Sequence, residues 1–145
     1  RMWCGTIAHN GTCGVGCEED WASHFLEHEV SAIYNVTHGA GLSVIVPAWM
    51  TFMAGHNPKK IAQFANRVFG IPESEDLEEM ALAGVSRLKH FFRFIGLPVN
   101  FKELGIEEPD IDRLADSLHR NKGEFVGNYV KLTKQDSKEI YRLAL

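Results

Sequence analysis

The chain has 145 residues, 45% of them hydrophobic, which is enough for one domain with a substantial core. A formal net charge of -4 excludes a strongly basic surface for nucleic acid, and the scattered Lys and Arg residues do not favour an anionic membrane surface. No apolar run reaches the roughly 20 residues that span a bilayer. No signal peptide is visible, and three cysteines, an odd number, favour reduced thiols in a cytoplasmic protein.

The first 17 residues give few functional signals. Residues 1–9 are predicted to be helical and residues 10–17 to form a glycine-rich loop, which lacks the GK[ST] ending of a phosphate-binding loop. Cys13 and Cys17 are spaced as in some zinc sites, but a pair without a second pair is a weak signal. Because the chain opens with Arg1-Met2-Trp3, we expect it to be a piece of a longer protein.

Two apolar segments follow the loop. A long helix is predicted from Glu18 to Asn35, because Glu18, Glu19 and Asp20 would then occupy its first turn favourably. Residues 42–53 are largely apolar and fit a buried strand or a buried helix equally well. Pro47 is awkward in either structure, so this segment stays open.

The helical signals become clear from Asn57 onward. Asn57 is a suitable N-cap, Pro58 suits the first helical position, and Gly70 ends that helix. Asp76 begins the next helix, with Glu79 three residues later as in a capping box. The apolar stripe of that second helix consists of Leu77, Met80, Ala81, Gly84, Leu88, Phe91, Phe92 and Ile95.

Two more helices complete the predicted architecture. One runs from near Pro109 to about His119, and the last begins near Thr133. No hairpin signal and no alternation of strands with helices is present. The sequence therefore predicts an all-α helical bundle that forms a single domain over residues 1–145.

Three of the seven histidines fall within one short segment. His24 and His28 are four residues apart and share one face of a helix, and His38 follows in a glycine-flanked turn that can bend back toward that face. Converging imidazoles can hold a transition metal. Solvated or hydrogen-bonded core histidines remain an equal alternative, and the set leaves coordination positions open. The segment is not His-Glu-x-x-His, so the metalloprotease pattern does not apply.

Other polar and aromatic residues receive simpler interpretations. Glu27 is predicted to orient an imidazole from behind, whereas Glu29 is predicted to lie on a charged, solvated helix face. The remaining histidines are expected to lie apart from the cluster: His9, His56, His90 and His119. The three tryptophans are expected in the core: Trp3, Trp21 and Trp49.

The segment His24–Leu42, with the sequence HFLEHEVSAIYNVTHGAGL, resembles the second signature of the iron-containing (group III) alcohol dehydrogenase family. Further segments are similar to the NAD(P)H-dependent butanol dehydrogenase branch of that family: Trp3, residues 8–11, residues 20–22 and residues 94–99. The resemblance covers nearly the whole chain.

The resemblance implies a C-terminal all-α metal-binding domain over residues 1–145, and a helix rather than a strand over residues 42–53. In this family one Asp and three His bind the metal, and two of the three His match His24 and His38. The Asp and the first His would precede residue 1, in a region this sequence lacks. His28 matches a further active-site histidine. The implied metal is divalent, Fe2+ first and Zn2+ second.

The resemblance further implies hydride transfer between a primary, butanol-like alcohol or its aldehyde and NAD(P)H, in a homodimer. NAD(P)H would be bound mainly by an N-terminal α/β domain that is absent from this sequence. We therefore expect residues 1–145 alone to be inactive and to bind metal weakly. The alternative is a freestanding all-α metal-binding or protein-interaction module without dehydrogenase activity.

Overall fold

A computed structural model describes residues 2–145, and within that range it contains seven α-helices and no strand. The helices are α1 (Met2–His9), α2 (Ala22–Tyr34), α3 (His38–His56), α4 (Lys59–Phe69), α5 (Leu77–Phe94), α6 (Ile111–Lys122) and α7 (Lys134–Arg142). A short 3-10 helix, Thr12–Gly14, lies in the glycine-rich loop, and Val126 and Leu132 form an isolated antiparallel bridge. The predicted all-α bundle is confirmed. None of the described helices is both long enough and apolar enough to cross a membrane.

Helix α3 is the centre of the bundle and packs against α2, α4, α5 and α7. Because α3 is surrounded, most of its residues are buried, which explains why residues 42–53 show no polar face. Residues 42–53, which fitted a strand or a helix equally well, are helical, as the resemblance implied. Pro47 lies inside α3, and the Thr51 hydroxyl donates to the Pro47 carbonyl at 2.8 Å.

The helix ends mostly follow their capping residues. The Asp76 carboxylate accepts from the Glu79 backbone N–H at 2.9 Å, which is the N-cap half of the predicted capping box. Thr133 forms a complete capping box before α7. Gly70 ends α4 with φ 66, a left-handed conformation that suits glycine. The N-cap of α4 is Pro58, one residue later than the predicted Asn57. The Asn57 backbone N–H still donates to the Met53 carbonyl and closes α3.

The predicted start of α2 at Glu18 was wrong, because the helix begins at Ala22. The Asp20 carboxylate accepts from the Ala22 backbone N–H at 2.6 Å with one oxygen. Its other oxygen accepts from the backbone N–H groups of Asn128 and Tyr129, at 2.9 and 2.6 Å. Asp20 therefore joins the start of α2 to the loop before α7, instead of lying inside the first helical turn.

The apolar stripe of α5 is buried only in its middle. Met80, Ala81, Gly84 and Leu88 are buried where α5 packs against α3 and α4. Three further members, near the ends of the stripe, are 39%, 45% and 49% exposed: Leu77, Phe91 and Ile95.

The tryptophans also depart from the prediction. Trp3 is 72% exposed, because α1 contributes no buried residue and provides no core for it to join. Trp21 is 37% exposed at the start of α2, and only Trp49 packs against the core.

Candidate metal centre

The structure brings His24, His28 and His38 together beside the first half of α2. Their ring centroids are separated by 6.5 Å (His24–His28), 5.5 Å (His24–His38) and 5.3 Å (His28–His38). The first two lie one turn apart on α2, and His38 is the first residue of α3. The chain reverses at Asn35, whose φ of 52 is left-handed, and not at the glycines that follow His38, which lie inside α3.

A buried carboxylate lies directly behind this cluster. Glu27 is fully buried, and its two oxygens accept hydrogen bonds from the Ser31 hydroxyl and from Nδ1 of His38. As predicted, Glu27 therefore contacts an imidazole. A Cβ atom at position 41 would overlap this carboxylate, so Gly41 provides the space that Glu27 occupies.

The cluster is open on its outer side. His24 is half-buried, whereas His28 and His38 are exposed, with 46% of the His38 side chain accessible. Partial burial, followed by the nearby imidazoles of His38, His28 and His9, lowers the pKa of His24. A lowered pKa keeps the His24 ring neutral near pH 7, the form that binds a metal ion.

The donor atoms of Glu27, His28 and His38 lie within 4.8 Å of one another, and no other trio of His, Cys, Asp and Glu in residues 2–145 is as close. His24 lies beside this trio, with its ring centre 5.5 Å from that of His38. The cysteines do not contribute, because Cys4, Cys13 and Cys17 are all exposed and free.

Two aromatic residues that the sequence analysis placed elsewhere border the cluster. The His9 ring lies 6.3 Å from those of His24 and Trp21, so the expectation that His9 lies apart was wrong. Trp21 contacts His24 edge to face at 5.0 Å. His9 lies at the end of α1, and residue spacing alone does not reveal that this end comes close to α2.

Glu29 also differs from its predicted place on a solvated face. It is only 6% exposed, and the Asn121 side-chain amide of α6 donates to its carboxylate at 3.0 Å. Packing of α6 against α2 covers this face, and the pairing between the two helices is not encoded near Glu29 in the sequence.

Three imidazoles in front of a buried carboxylate form a donor set of the kind that suits a transition metal ion. Comparison with known families agrees, since residues 2–145 match the family described as "Fe-containing alcohol dehydrogenase family, C-terminal". The chain belongs to this family.

The chain is similar to several bacterial proteins over nearly its whole length. It is 37% identical over 145 residues to the probable NADH-dependent butanol dehydrogenase 1 of Bacillus subtilis, covering 99% of this chain and 37% of that relative. It is 31% identical over 143 residues to the NADPH-dependent aldehyde reductase YqhD of Escherichia coli, covering 99% of this chain and 37% of the reductase.

Solved structures show the same fold. The crystal structure of NADH-dependent butanol dehydrogenase A from Thermotoga maritima matches with a TM-score of 0.88 and 38% identity, covering 98% of this chain and 37% of that one. The chain thus spans about 37% of the length of these relatives.

Proposed function

We propose that this chain is the metal-binding domain of an NAD(P)-dependent alcohol dehydrogenase or aldehyde reductase that acts on primary, butanol-like alcohols. The observation that carries the proposal is the convergence of His24, His28 and His38 in a chain that matches the family throughout. We further propose a cytoplasmic homodimer, on the resemblance. Residues of the longer relatives outside the matched 37% would supply the nicotinamide site and the remaining metal ligands.

The residues present fit a divalent transition ion. Imidazole nitrogens suit both Fe2+ and Zn2+. At histidine-metal sites one ring nitrogen usually binds the metal and the N–H of the other donates a hydrogen bond, often to a carboxylate. Nδ1 of His38 is paired with Glu27 in this way. We propose His24 and His38 as ligands, with Fe2+ as the first choice of metal and Zn2+ as the second.

When bound, the ion would supply Lewis acidity toward the alcohol or aldehyde oxygen, and the nicotinamide would supply the hydride chemistry. Two residues of this chain, His24 and His38, would hold the ion. We assign His28 to proton transfer between the substrate hydroxyl and solvent. Its ring is exposed and lies 5.3 Å from that of His38, and neither of its nitrogens has a hydrogen-bond partner within residues 2–145.

The first experiment measures Zn2+ and, without oxygen, Fe2+ binding to the chain by calorimetry, beside His24→Ala and His38→Ala. The matched control is His90→Ala, which removes an exposed histidine of α5 outside the cluster. We expect weak binding that both cluster variants abolish and the control preserves. Binding unchanged in both cluster variants would contradict the assigned ligands. Tight stoichiometric binding lost in both would favour a freestanding metal-binding module.

Activity provides a second test. We expect no alcohol-dependent reduction of NAD(P) by the chain alone, and measurable reduction would contradict the proposed division of the site. To test His28, the chain can replace the matching segment of the Thermotoga maritima relative. There His28→Ala is expected to lower kcat by about 10²–10⁴-fold while metal content stays constant. An unchanged kcat would remove His28 from proton transfer.

A further inference from the structure

Glu27 is a fully buried carboxylate, and its burial requires partners. An ionised carboxylate without partners is costly to bury, so it needs charged or hydrogen-bonded neighbours. Its oxygens have two, the Ser31 hydroxyl one turn later on α2 and Nδ1 of His38 at the start of α3. One partner lies on the same helix and the other on the next, so Glu27 links the two helices that carry the cluster.

The backbone is arranged to admit this carboxylate. A Cβ at position 41 would overlap the carboxylate oxygen and the two carbons before it. Gly41 lies less than one turn after His38, in the first turn of α3. The presence of glycine at this point is explained by the room that Glu27 needs to reach His38.

The contact decides which nitrogen of His38 remains free. An ionised Glu27 only accepts hydrogen bonds, so with it this contact requires the proton on Nδ1 of His38 and leaves the lone pair on Nε2. The His38 side chain is 46% accessible. A hydrogen bond from Nδ1 to a carboxylate also increases the basicity of Nε2 toward a metal.

Building on the proposed metal site, we infer that Glu27 is a positioning residue that holds His38 in the Nδ1–H tautomer and presents Nε2 to the ion. Ser31 holds the carboxylate from α2, and Gly41 provides its space. None of these three residues is itself a ligand. These residues would support the site without binding the ion, and the ligating atom of His38 would be Nε2.

The test uses Zn2+ as the probe on the purified chain. Zn2+ affinity is measured for Glu27→Gln and for Gly41→Ala, which keeps the carboxylate but displaces it. Glu29→Gln is the control, because Glu29 is also a buried carboxylate of α2 but is bonded to Asn121 on another face. We expect about a 10–100-fold loss of affinity in the two test variants and none in the control. Circular dichroism checks that each variant is folded.

A second readout needs no variant. Nitrogen-15 chemical shifts of the metal-free chain at mildly alkaline pH report the His38 tautomer directly, and we expect Nδ1–H. A predominant Nε2–H tautomer would overturn the inference.

The outcomes separate the two proposals. If His38→Ala leaves Zn2+ affinity unchanged, the metal assignment fails and the role of Glu27 fails with it. If His38→Ala abolishes binding while Glu27→Gln behaves like Glu29→Gln, only the positioning role is refuted.

Discussion

Tyr141→Phe is expected to remove a hydrogen bond that links the histidine-bearing helix α2 to α7. The Tyr141 side chain is fully buried, and its hydroxyl donates to the Leu26 carbonyl at 2.8 Å. Leu26 lies between His24 and His28 on α2, so this hydrogen bond anchors the segment that presents the cluster. Loss of one buried hydrogen bond lowers the free energy of unfolding by about 1 kcal/mol near neutral pH.

The same hydroxyl gives the effect a defined pH dependence. Burial, and then the carboxylates of Glu29 and Glu27, raise the pKa of Tyr141 well above its ordinary value. In the unfolded chain this tyrosine ionises near pH 10, whereas in the folded protein it stays protonated. Above about pH 10 the unfolded state therefore binds fewer protons, and wild-type stability falls by up to about 1.4 kcal/mol per pH unit through this group.

The assay is urea unfolding of the wild-type chain and Tyr141→Phe, followed by circular dichroism from about pH 7 to about pH 11. The wild type should be more stable by about 1 kcal/mol below pH 10, and the difference should vanish near pH 11, since a loss of about 1.4 kcal/mol per unit cancels it there. Tyr34 and Tyr129 are present in both proteins, so their titration cancels in the difference. A difference that stays constant across this range would refute the reasoning.

Four further predictions concern a core contact, an exposed helix position, a helix cap and the stability at acid pH. Gly84→Ala would place a Cβ 2.9 Å from the Cα of Ala65, where α5 meets α4, and should cost about 1–3 kcal/mol in urea unfolding. Gly55→Ala, with its nearest neighbour atom 4.0 Å away, should instead stabilise α3 by about 0.5–1 kcal/mol. Thr133→Ala removes the capping box of α7 and should lower the thermal midpoint, at a cost of about 1 kcal/mol. Because burial and then neighbouring imidazoles lower the pKa of His24, stability should fall as pH drops below about 6.5, and His24→Gln should show a shallower fall in acid titrations.

The parts of the fold that depend on neighbouring residues could be predicted from the sequence. Asp76 and Thr133 cap α5 and α7 through contacts three residues away, so their patterns are visible locally. The start of α2 could not be placed in this way. Asp20 is bound by Asn128 and Tyr129, more than 100 residues later, and this pairing exists only after α2 and the loop before α7 have come together.

The candidate site was likewise predicted only where its features depend on nearby residues in the sequence. Spacing placed His24 and His28 on one face, and the glycines beside His38 predicted that it approaches them. The family resemblance then assigned His24 and His38, and not His28, as metal ligands. The contact of Glu27 with an imidazole was predicted, whereas the burial of Glu29 was not, because two carboxylates on one helix look alike in sequence. Their contacts come from different helices, α3 for Glu27 and α6 for Glu29. A glycine in the helix after His38 is the one local sign of the space that Glu27 occupies.

The candidate site combines a fixed inner side with an open outer side, and the packing explains why. Leu26, Glu27 and Tyr141 are fully buried. Hydrogen bonds join Tyr141 of α7 to the Leu26 carbonyl of α2, and Glu27 of α2 to His38 of α3. His28 and His38, in front of them, are exposed to solvent. Residues whose rotamers are fixed from behind can present nitrogen atoms at defined positions without being enclosed. Such a surface can accept an ion from solvent and still leave coordination positions for ligands that this chain does not supply, which is what the proposed division of the metal site requires.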